Sequence, residues 1–165
     1  NYGAGQMSRV RSTYRDALIF CGIYTLVAWV LLLAMTPHVI ALFGLSGQGA
    51  EVLRAFTLVG VGGFVFIGAL FVSNAAFNNL GRAGRSTLVN WAKDGVLSWP
   101  AAAGLAVFFG AQGVIYGQAL AGAIVGTGAA TWGWFYVKRL PAPEGVPLDP
   151  TPQPAYPNLD KHRRR

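Results

Sequence analysis

Lys93 and Asp94 are adjacent charges within an otherwise apolar stretch, residues 88–109. At the centre of a membrane-spanning helix each would cost about 2.5–3.5 kcal/mol, so an acid in such a place is by default a functional candidate. Lys93 has a stem long enough to carry its ammonium toward headgroups. Asp94 is too short for that, and neighbouring side chains on an α-helix diverge by about 100°, which makes the two poor partners. Asp94 is therefore expected to face a wet cavity or the bundle interior, as part of an ion or substrate pathway or in a structural pairing. Asn74 and Asn78 are four apart and share a helix face. An unpaired amide in hydrocarbon costs roughly 4–8 kcal/mol, so that face should meet another helix or a ligand. Gln118 is a lone amide in a further apolar stretch, and with Asn74, Asn78 and Asp94 it is a candidate for a substrate or ion pathway, the alternative for each amide being a structural hydrogen bond between helices. Pro100 removes the hydrogen bond to the Val96 carbonyl, and among Trp99 and small residues it is a candidate hinge.

The elements that must position these groups are four apolar stretches, at about residues 17–36, 55–77, 88–109 and 113–137. A helix needs about 20 mostly apolar residues to cross a bilayer, and lipid satisfies no bare peptide group, so spanning segments of this length are helices. An all-α integral membrane fold with four transmembrane helices is predicted. The chain is 53% hydrophobic and 12% charged, with a mean hydropathy of +0.43. Its net charge of +7 is not arranged as a basic stripe with interleaved aromatics, so nucleic acid is not an expected partner. The lipid bilayer is. No metal-ligand cluster, phosphate loop or nucleophile arrangement is present, and no catalytic residue is assigned.

Orientation follows from Lys and Arg. Eleven of the thirteen lie before the first stretch, between the second and third, or after the fourth; Arg54 alone lies on the opposite side. Cytoplasmic loops carry the excess of Lys and Arg, which predicts that both ends of the chain are cytoplasmic. Residues 1–139 form the membrane domain. Seven of nine prolines fall within 141–157, and residues 140–165 read as a disordered, basic cytoplasmic tail. The chain opens on Asn1 in what reads as a turn, as would a piece of a longer protein.

Glycine occurs 22 times. Gly113 and Gly117, and Gly122 and Gly126, are spaced four apart. Small residues on one face let helix backbones approach closely in lipid, so these four are expected to pack against a neighbouring helix.

Asn1-Tyr-Gly-Ala-Gly5 followed by Arg9, and the run from Asn74 to Ser86 (NAAFNNLGRAGRS), resemble two cytoplasmic turns of the multidrug and toxin extrusion (MATE) transporters. Val89-Asn-Trp-Ala92 and Gly117-Gln-Ala-Leu-Ala-Gly122 are similar to that family's last two helices. The resemblance covers about residues 1–139. It implies a twelve-helix, two-lobe transporter of the bacterial inner membrane, with this chain supplying the last four helices and the missing N-terminal helices of the same chain as their partners. It implies export of small cationic or amphipathic compounds by alternating access, driven by Na⁺ or H⁺, with no other cofactor. One branch of the family couples cations through an acid on the tenth helix. The matching stretch, 55–77, has no Asp or Glu, which leaves Asp94 or the missing helices to serve. A lipid-linked oligosaccharide flippase of the same superfamily and a small four-helix scaffold or accessory subunit are the alternatives.

Overall fold

The computed structural model describes residues 1–143. Those residues are helical almost throughout, with no strand among them. Six α-helices follow in order: α1 (Met7–Leu42), α2 (Gly47–Ala55), α3 (Val61–Asn79), α4 (Ala83–Asn90), α5 (Ser98–Phe109) and α6 (Ala111–Arg139). A π-helical turn, Phe56–Gly60, joins α2 to α3 without a break, and a second, Trp91–Leu97, joins α4 to α5. The chain therefore makes four long rods. Of the tail expected at residues 140–165, all but 140–143 lies outside the described residues.

Three rods are long and apolar enough to cross a membrane: Met7–Leu42, Gly47–Asn79 and Ala111–Arg139. The sequence reading expected a fourth at 88–109. Residues 83–109 do run helically, for roughly 40 Å at 1.5 Å per residue, but Lys93, Asp94 and Pro100 dilute their hydropathy. The ends also differ from expectation. The first predicted stretch, 17–36, stops short of Pro37, yet Pro37 lies inside α1. A proline withholds only its own N–H, here the donor that Leu33 would have met, and a membrane helix tolerates the loss. The Thr36 hydroxyl donates to the Leu32 carbonyl at 2.8 Å just before it.

Helix α6 is the spine. Its buried residues are Gly113, Gly117, Ala121, Gly122, Gly126, Ala129, Gly133 and Val137, a single stripe at helical spacing. Helices α5 and α3 both lie against it, and α1 touches it far less, around Tyr14 and Val10. There Tyr14 reaches into the bundle. Its hydroxyl donates to the Ala130 carbonyl at 2.9 Å and shares a hydrogen bond of the same length with Ser73 Oγ. Gly133 leaves the space, since a Cβ there would overlap the Tyr14 hydroxyl. Apart from Val10 and Thr36, the rest of α1 is not buried within the chain, with Phe20, Tyr24 and Leu31 exposed. The sharp reversal from α5 to α6 turns on Gly110, whose φ of 59° and ψ of −137° no other residue type adopts without strain.

Candidate functional site: a cavity between three rods

A half-open cavity of about 700 Å³ lies where α3, the second π turn with α5, and α6 meet. Its walls are mostly apolar: Phe56 and Phe64 on one side, Trp99 and Ala102 on another, Val114 and Ile115 on the third. Lys93, Asp94, Ser98 and Gln118 supply the polar groups. A concave, largely apolar site with a few converging polar groups is the usual form of a small-molecule site.

Both π turns contribute walls. Such turns hold one more residue per turn than an α-helix and often mark functional positions. On the near side, the close approach of α3 to α6 needs small residues. A Cβ on Gly63 would sit 3.2 Å from that of Ala119, and one on Gly60 would sit 3.0 Å from Ile115 Cγ2. On the far side, Gly117 and Gly113 seat α6 directly on the α5 backbone; a Cβ on either would overlap main-chain atoms of Ala102 or Leu105. Farther along, Gly122 lies beneath the Ile67 side chain, and a Cβ on Gly126 would overlap the Phe66 carbonyl. All four glycines singled out from the sequence are in helix–helix contact, shared between two neighbours rather than one.

The polar residues divide. Asp94 and Gln118 line the cavity together from different rods. The Gln118 amide makes no hydrogen bond to the described residues, and Asp94 is 66% exposed at its side chain. Lys93 Nζ is ion-paired with Asp94 Oδ1, contrary to the expectation that the two would be poor partners. The physical reason is the length of the lysine stem: a long flexible cation can fold back onto an adjacent carboxylate, as Arg15 does onto Asp16 in α1, and Lys93, at 19% exposure, folds over its neighbour instead of reaching outward.

Asn74 and Asn78 do not share an environment. Asn74 is buried, and its Nδ2 donates to Asn90 Oδ1 on α4 at 3.0 Å. Its own Oδ1 is buried with no hydrogen-bond partner among the described residues. Asn78 is exposed, one turn beyond, where α3 runs out into the Gly81 turn. Neither lines the cavity. Pro100 is exposed on α5 three residues past the second π turn. The carbonyl it would orphan is that of Val96, which lies within the turn, so the proline and the widened winding occupy the same stretch of helix.

The residues that sequence reasoning passed over are the aromatic and small walls: Phe56, Phe64, Trp99 and Ala102 read as ordinary apolar span residues. Tyr14 was also missed. Its signal was Gly133, whose partner across the bundle could not be read from one helix alone.

Several long apolar rods around a partly polar cavity have the form of a multi-pass membrane protein. A family model described as MatE matches residues 1–103, more than half of the chain, and the chain belongs to the MATE family of membrane transporters. No curated protein and no solved structure was found to match it.

Proposed function

We propose that this chain forms part of a cation-coupled efflux antiporter, exchanging Na⁺ or H⁺ for small cationic or amphipathic compounds by alternating access. The observation that carries the reading is the pairing of Asp94 with Lys93 in the wall of the cavity, facing Gln118 and the rings of Trp99 and Phe64. The exposed carboxylate is available to a cation or a proton. The aromatic walls suit an amphipathic body, and ring faces attract cations. Asp94 exchanges its ammonium partner for the coupling ion, and the combination of Pro100 with the π turn lets the upper half of the rod tilt as it does so. The remaining helices of the same chain, upstream of Asn1, would close the open side. The distribution of basic residues supports an inner-membrane placement with both termini cytoplasmic.

A lipid-linked oligosaccharide flippase is the second reading. Such a substrate carries phosphates, and its cavity would be expected to present arginines. The cavity walls hold one lysine, already paired, and no arginine, which favours the first reading.

The test is transport by the full protein in sealed vesicles. A fluorescent cationic dye should leave against its gradient when an inward H⁺ or Na⁺ gradient is imposed, and stop when an ionophore collapses that gradient. Dye movement that ignores both ions would overturn the coupling. Movement of a lipid-linked sugar without dye export would establish the second reading.

A further inference from the structure

A second feature lies at the other end of α6, away from the cavity. At the Arg82 end of the bundle, a basin of about 550 Å³ is lined by Arg82, Arg85 and Arg139. Among the described residues no carboxylate lines it and none of the three arginines is ion-paired. Arg85 lies 4.5 Å from the Tyr136 ring centroid and 5.1 Å from that of Trp132, and Arg139 lies 5.9 Å from that of Phe135. Stacking on rings fixes a guanidinium and leaves its in-plane N–H fork open for a phosphate.

Trp132 and Phe135 also belong to a shallow, open apolar groove that runs from the basin along α6, past Thr131, Gly128 and Ala123, with Phe66 on its other bank. From Phe135 to Ala123 the groove spans roughly 18 Å at 1.5 Å per residue. One leaflet of the hydrocarbon core is about 15 Å deep. Gly128 lies midway along it. A Cβ at Gly128 would meet nothing within 4 Å, in contrast to Gly113, Gly117, Gly122 and Gly126.

From this continuity we infer an anionic-phospholipid site, with the phosphate in the arginine basin and an acyl chain in the groove over Trp132 and Phe135. The charge of the basin selects an anionic headgroup, and the length of the groove matches a chain of the adjacent leaflet. Basic pockets of this kind at membrane boundaries hold anionic headgroups. The site stands apart from the cavity, and its occupation is read by binding rather than by transport.

Trp132 reports on it directly. The full protein is placed in phosphatidylcholine nanodiscs carrying a minor fraction of either dibrominated phosphatidylglycerol or dibrominated phosphatidylcholine. The Trp132 signal is the difference between the protein and its Trp132→Phe variant. Bromine should quench it at lower mole fraction when carried by phosphatidylglycerol. Arg82→Gln and Arg139→Gln should each move the phosphatidylglycerol midpoint roughly fivefold, the loss of one near-surface basic residue. Both residues are exposed, so the fold should survive. Gly128→Leu should remove quenching by filling the groove. Equal quenching by the two lipids, or a preference that survives Arg82→Gln with Arg139→Gln, would overturn the site. So would no Trp132 quenching by either lipid, which would mean that other protein covers the groove. A preference that appears only after truncation at Leu140 would assign the basin to the chain's own tail and overturn it likewise.

Discussion

The indole Nε1 of Trp29 donates to the main-chain carbonyl of Thr57 across 2.9 Å, joining α1 to the first π turn. The contact is built from both sides. Gly62 leaves the ring its space, since a Cβ there would lie 2.8 Å from Trp29 Cζ2. The Thr57 hydroxyl turns back to the carbonyls of Leu53 and Arg54 at 3.0 and 3.2 Å. In a π turn the regular i−4 ladder is shifted, and a carbonyl there is a natural acceptor for a donor from another helix. Because most of α1 is otherwise unburied within the chain, this bond and the Tyr14 contact at the far end hold it to the bundle.

Trp29→Phe keeps most of the ring and removes the donor. A net hydrogen bond is worth about 1 kcal/mol, with more lost where the acceptor stays unsatisfied. Thermal unfolding in detergent should shift down by a few degrees. An unchanged midpoint would show that water or lipid replaces the bond at no cost. Gly62→Val should have a larger effect than Trp29→Phe, because it expels the ring altogether.

Gly126→Leu should lower folded yield sharply, since the added side chain strikes the Phe66 carbonyl rather than a movable side chain. Gly128→Leu provides the comparison on the same helix two residues away, where the space is open. Overpacking of this kind costs roughly 1–3 kcal/mol or more. Equal yields of the two variants in a fluorescence-detected size-exclusion assay would contradict the assigned packing face.

Orientation can be read with single cysteines after Cys21 is replaced. Ser46 and Ala83 are exposed and lie in opposite connections. Ser86, which would otherwise serve, is buried and would label poorly. An impermeant thiol reagent applied to whole cells should label a cysteine at position 46 and leave one at position 83 unlabelled until the cells are opened. The reverse pattern would invert the proposed topology.

How much was legible in the sequence depended on whether the signal was local. The glycine spacing on α6 is local, and the contacts of Gly113, Gly117, Gly122 and Gly126 follow from it, although one helix could not say that the first pair meets α5 and the second α3. The π turns were not legible. A single-residue shift in winding leaves apolar periodicity almost unchanged. Asn78 read as a partner of Asn74 because α-helical spacing aligns them, but α3 ends one residue later, and the bundle does not extend far enough to cover it. The cavity needed three rods at once. Its aromatic walls became distinguishable from lipid-facing aromatics only when α3, α5 and α6 were placed together.

Asp94 gives the most discriminating experiment. Asp94→Asn keeps shape and hydrogen bonding but removes the charge that holds Lys93. Under the proposed coupling it should reduce ion-driven efflux by at least tenfold at normal expression, while dye binding to the purified protein stays within a few-fold. Lys93→Gln should act differently. The carboxylate stays charged and loses its competitor, so the coupling ion should bind more tightly and the ion concentration for half-maximal efflux should fall. The direction follows from linkage: a partner that must be displaced lowers the apparent affinity of whatever displaces it. The double variant should resemble Asp94→Asn, because nothing remains for the ion to meet. If Asp94→Asn transports normally and only Asp94→Ala fails, the carboxylate is a structural acceptor and the coupling site lies elsewhere in the protein. If Lys93→Gln and Asp94→Asn lose expression together, the pair acts in insertion and folding, as two charges mutually neutralised within an apolar rod.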